Sequence, residues 1–197
     1  MAIPLYSENP AVAKSTALRE SGQVMASLSL LHVLCDQEPA NAAAWHQLGI
    51  GYVQAGKLDH ARRCLQQAAD LAPDNLEIAS HLANIFVLQK DMETAIRQGK
   101  KLVAMGPGFA EFHLFLGHLY ISEGRMDEAL PCICAVLELA PDTVIAHIAL
   151  ARIRLAIRQL AQAREAVSNA LRLEPGNAPA LQVLGHIERV QRDADEP

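Results

Sequence analysis

Five prolines, Pro39, Pro73, Pro107, Pro141 and Pro175, stand 34 residues apart. Three other columns keep the same register. A small residue recurs as Ser27, Ala61, Ala95, Ala129 and Ala163. A leucine recurs as Leu48, Leu82, Leu116, Leu150 and Leu184. The residue after it is always small: Ser15, Gly49, Ala83, Gly117, Ala151 and Gly185. A fixed period of this length restricts the chain to a tandem array of one small unit. Each period holds two apolar patterns of helical spacing, such as Leu48 and Tyr52, then Ala61, Leu65 and Ala68. The small columns let two helix backbones approach closely. Gly22, Gly56 and Gly124 lie between the paired helices, where a left-handed turn residue is needed. The proline column ends the second helix, and Asp74-Asn75, Asp142-Thr143 and Asn177 offer caps to the next one. A single pair cannot bury its apolar face, so stability must come from stacked neighbours.

The spacing predicts helices over 9–21 and 24–37, 42–55 and 58–71, 76–89 and 92–105, 110–123 and 126–139, and 144–157 and 160–173. A last helix is predicted over 178–192, where Glu188, Arg189, Gln191 and Arg192 suit a wet outer face. The column Tyr52, Phe86, Tyr120 turns into Arg154 and then Glu188, so the array closes there. Residues 1–8 and 193–197 are read as tails. The apolar residues Ile3, Leu5 and Tyr6 of the first tail are expected to fray, fold back or enter a neighbour's groove.

The stretch Trp45-His46-Gln47-Leu48-Gly49-Ile50-Gly51-Tyr52, followed by Ala61 and Pro73, resembles the tetratricopeptide signature. His113 to Tyr120, followed by Ala129 and Pro141, is a second good copy. The resemblance covers 8–192 as one domain, with repeats over 8–41, 42–75, 76–109, 110–143 and 144–177 and a capping helix over 178–192. It implies an all-α, right-handed α-solenoid that holds protein partners.

Composition fits that reading. Hydrophobic residues make up 51% of the chain and aromatics only 4%, which favours close-packed helices over a β-sandwich. The net charge of −5 lacks the basic excess of a nucleic-acid binder. No apolar run is long enough to span a membrane, and the first residues lack a basic, then apolar, leader pattern. The cytoplasm is the expected compartment, and the four cysteines are expected as free thiols.

Catalytic, metal and cofactor motifs are not apparent. His113 and His118 are five apart and do not share a helix face. His113 and His147 fall in the column of Trp45, a packing position. Cys132-Ile133-Cys134 is too tight for a zinc knuckle. Gly99 replaces Leu31, Leu65, Ile133 and Val167 in its column, so the third repeat is expected to be the softest joint. Pro131 is expected to lie early in its helix, where a missing amide hydrogen costs little.

In such arrays the first helix of each pair lines the concave side. By register that face carries His46, Ile50, Val53 and Gln54, then Asn84, Val87 and Leu88. It continues with Leu114, His118 and Ile121, then Ile145, Ile148 and Arg152. Exposed aliphatics in such number mark an interaction surface. Asn84 falls at a column that some tetratricopeptide proteins use to clamp a terminal carboxylate. The partner lysines of that clamp are replaced by His46, Glu77 and Glu111, so apolar anchors on a helix or extended peptide fit better. Residues 144–177 carry five arginines against two glutamates, whereas 76–143 carry five basic and nine acidic side chains. That imbalance suits steering of an acidic partner or self-association. The expected function is a non-catalytic protein-interaction scaffold. The alternatives are a chaperone-like assembly factor for a bacterial secretion, pilus or membrane complex, and the docking domain of a larger enzyme.

Overall fold

The computed structural model describes residues 9–195, and the tail over 1–8 lies outside them. Among the described residues there are eleven helices and no strand. They are α1 (Pro10–Glu20), α2 (Val24–Gln37), α3 (Ala42–Gln54), α4 (Leu58–Leu71), α5 (Leu76–Leu88), α6 (Met92–Met105), α7 (Ala110–Ser122), α8 (Met126–Leu139), α9 (Val144–Ala156), α10 (Leu160–Leu173) and α11 (Ala178–Asp195). The second helix of every pair has the limits that the repeat predicts. The first helices end one residue earlier, because the last predicted residue is the cap of the turn. Helix α11 runs past 192 to Asp195, into the segment read as a tail.

Local chemistry sets these ends. The side chains of Asn41, Asn75 and Asn177 accept from Ala44, Ile78 and Ala180 amides at 3.0, 2.9 and 3.0 Å. Thr143 departs from expectation: its hydroxyl donates back to the Ala140 carbonyl instead of capping α9. Between paired helices the chain reverses through one left-handed residue. Gly22, Gly56 and Gly124 have φ of 81°, 71° and 71°, and Lys90 and Arg158 hold the same turn at 61° and 62°. The turns share one bonding pattern, seen in Lys57 N–H to Tyr52 C=O and Asp91 N–H to Phe86 C=O, both 2.9 Å. The geometry therefore belongs to the repeat, and glycine only makes it cheaper.

Contacts divide the chain into two compact units, one ending at Gln98 and one beginning at Gly99. In the N-terminal unit, α1 packs on α2 and α3, α2 on α3, α3 on α4 and α4 on α5. Leu31, Leu48 and Leu65 are fully buried there, with Ile85 beside them. Ser27 takes the small column at zero exposure, and its hydroxyl donates to the Ser15 carbonyl at 2.8 Å. In the C-terminal unit, α7 packs on α8, α9 on α10, and α11 on both α9 and α10. Leu102, Ile133, Val136, Ile153, Val167 and Ile187 are fully buried aliphatics there.

Two irregular residues take on meaning here. Gly99 is buried, and a methyl group there would sit 3.2 Å from Leu116 Cδ1. Pro131 is not in the first turn. It is the sixth residue of α8, past the amides that lack a helical partner, so the carbonyl of Asp127 loses its donor. Burial of Ala129, Ile133 and Val136 keeps the helix continuous. Replacing the exposed Pro131 by Ala should stabilise the protein by about 1–3 kcal/mol. Urea unfolding would report this as a higher midpoint at unchanged slope.

Candidate functional site

In the N-terminal unit the predicted surface residues of α3 and α5 converge. Ile50 and Val53 are one turn apart on α3; Asn84, Val87 and Leu88 share a face of α5. Together with His81, Ile85 and Leu65 they line an apolar hollow of about 340 Å³. Its floor is the buried pair Leu65 and Ile85; its rim is the exposed Asn84 and Leu88, the latter 51% exposed. Only Asn84 and His81 bring polar groups.

A second hollow lies in the C-terminal unit. Ile121, Ile148 and Arg152, all predicted, line about 510 Å³ with Met126 and Leu155. Ala156 and, from α11, Pro179, Gln182, Val183 and His186 complete its wall. Sequence reasoning gave α11 only a closing role and missed that wall. The signal was present, because these four residues recur at intervals of three, one and three, a single helix face. Arg152 lies close to His118, whose imidazole pKa is lowered by partial burial and then by that guanidinium.

Gln54, Leu114, His118 and Ile145 line neither hollow. Gln54 and His118 are exposed, Ile145 is 56% exposed, and Leu114 is half-buried.

His46 requires a correction. Its register places it on the open face, but it has zero exposure. Its Nε2 lies 2.8 Å from Nδ1 of His81, with the rings 4.8 Å apart. The partner is 35 residues away rather than 34, so no column pairs them. Burial, then His81, then Arg19, push the His46 pKa down to about 3. His46 is thus neutral and out of reach of a docking partner.

The other polar candidates serve the fold. Trp45 Nε1 donates to the Pro39 carbonyl at 2.9 Å, and His113 and His147 Nε2 meet the Pro107 and Pro141 carbonyls at 2.9 and 2.8 Å. This is one packing device used in three repeats. Cys35, Cys64, Cys132 and Cys134 are free thiols. Burial pushes Cys35 and Cys64 up to about 12 and about 11, which leaves them protonated and poorly reactive. No helix among the described residues is long and apolar enough to cross a membrane.

Two tetratricopeptide repeat models match, over residues 42–75 and 86–153. Human protein O-mannosyl-transferase TMTC1 is 26% identical over 148 residues, 73% of this chain and 17% of that protein. Type IV pilus assembly protein PilF of Pseudomonas aeruginosa is 27% identical over 135 residues, 66% of this chain and 52% of PilF. The chain therefore spans only a part of either relative. Among solved structures, YrrB, described as a TPR protein with an unusual peptide-binding site, superposes with a TM-score of 0.78 at 19% identity, covering 92% of this chain and 94% of YrrB. MamA from Desulfovibrio magneticus superposes at 0.76 with 16% identity, covering 87% and 99%. The period, the paired helices with their shared turns and these matches agree: the chain belongs to the tetratricopeptide repeat family.

Proposed function

We propose that this chain is a non-catalytic interaction scaffold whose N-terminal hollow takes an apolar anchor from a partner's helix or peptide. The observation that carries this reading is Leu88, 51% exposed beside Ile50, Val53 and Val87 in a formed depression. Helix faces bury such residues unless something else covers them. Asn84 at the rim offers an amide that both donates to and accepts from a peptide backbone. The peptide-binding site named for YrrB supports the same reading.

A library of random peptides displayed on phage tests it. Enriched sequences should share an apolar residue, and Leu88→Asp should weaken the selected peptide by about tenfold or more. Ser29→Asp, on the exposed face of α2, should leave binding unchanged. Failure to enrich any peptide, or equal binding to Leu88→Asp, overturns the assignment.

Likeness to PilF favours a second reading, an assembly factor for a bacterial surface complex. Under it the anchor belongs to an aggregation-prone subunit, which should stay soluble longer with this protein than with its Leu88→Asp variant.

A further inference from the structure

His46 on α3 and Glu77 and His81 on α5 place their ligating atoms within 4.8 Å of one another. We propose that these three side chains form a binding site for a divalent transition-metal ion of the zinc type, joining consecutive repeats.

Glu77 and His81 are four apart, so they share one face of α5. His46 reaches that face from the neighbouring repeat, and its Nε2 is 2.8 Å from Nδ1 of His81. Two ring nitrogens at that distance share one proton and point at each other. Tetrahedral zinc–nitrogen bonds of about 2.0–2.1 Å set two ligand nitrogens roughly 3.3 Å apart. To accept the ion the pair must open by about half an ångström and turn both lone pairs toward it. The His81 ring also bonds to the backbone of Glu77, a contact that orients it on the helix. Two imidazoles and one carboxylate suit zinc, cobalt, nickel or copper, and leave a fourth position for water.

Access and rigidity also fit. His46 is fully buried, which fixes one ligand, while His81 is half-buried and Glu77 exposed, which leaves an entry side. Arg19 lies close enough to lower both imidazole pKa values and opposes a cation. The Glu77 carboxylate offsets that charge once it ligates. His81 also lines the hollow beside Asn84, so a bound ion would fix one wall of it. The site stands without the docking proposal, because none of its ligands is an apolar anchor.

The test is a Co²⁺ titration of the full chain carrying no histidine tag. One equivalent should bind and give the intense visible bands of four-coordinate Co²⁺. Zn²⁺ should displace it and raise the melting temperature. His81→Gln and Glu77→Gln change groups on the accessible side and should keep the fold. Each should weaken Co²⁺ by about tenfold or more and abolish the thermal shift. His113→Gln should bind as the parent does. Lack of stoichiometric binding overturns the proposal. So does binding unchanged in His81→Gln and Glu77→Gln, or a thiolate charge-transfer band that assigns the ion to cysteine.

Discussion

Lowering the pH from 7.5 to 4.5 should remove about 2–3 kcal/mol of stability through one side chain, His46. In the unfolded chain this imidazole takes up its proton at the ordinary 6.5; in the folded protein it does so only near 3. Between those values the unfolded state binds more protons, so stability falls as pH falls. The contribution is complete above pH 6.5 and is lost progressively down to about 3. The cause is burial first and charge second. The ring has zero exposure and faces His81, whose pKa is also lowered by burial; Arg19 opposes a further positive charge, and the exposed Glu77 carboxylate offsets only part of this. His46→Gln keeps a hydrogen-bonding side chain and removes the titration. Urea unfolding at several pH values should give a steep acid limb for the parent and a shallower one for His46→Gln. Parallel limbs would show that the buried pair does not govern acid stability. The measurement is made with chelator present, so that metal binding does not enter.

A second large effect is expected where two helices touch through a glycine. Gly49 on α3 leaves room for Leu65 of α4. A methyl group added there would lie 2.6 Å from Leu65 Cγ, the branch point of a fully buried side chain. That atom cannot swing away as a side-chain tip can. Gly49→Ala should therefore destabilise by about 1–3 kcal/mol, despite the better helix propensity of alanine. Gly117 repeats the arrangement, with Ile133 Cδ1 at 2.7 Å. Gly185 occupies the same column in α11, yet nothing lies within 4 Å of an added methyl group. Gly185→Ala should stabilise by up to about 1 kcal/mol. The same substitution in the same column is thus expected to change sign. A loss at both positions would mean that the column needs glycine for its backbone, not for the neighbouring helix.

The contrast shows what the sequence reveals and where it stops. The 34-residue columns place every helix pair, because proline, glycine and small residues act locally on the backbone. They also single out Ile50, Val53, Asn84, Val87 and Leu88, which line one hollow, since spacing of three and four residues defines a helix face. They do not reveal the His46–His81 pair, which crosses repeats out of register and depends on side-chain direction. The Glu77–His81 spacing was present in the chain, but its third member came from another helix. Pro131 was misjudged for a simpler reason: counting from the start of α8 puts it in the second turn. The wall that α11 adds to the second hollow was overlooked because α11 was read only as a closing helix, although Pro179, Gln182 and His186 stand 34 residues after Ile145, Ile148 and Arg152.

Docking of a partner in the hollow of α3 and α5 is read by site-specific photo-crosslinking. A photoreactive amino acid in place of Leu88, expressed in the cell of origin, should yield a discrete protein adduct. The adduct should disappear when Ile50 is changed to Asp, and the same probe at Ser29 should give none. Absence of an adduct at Leu88, or an equal one from Ser29, would mean that no partner docks in this hollow.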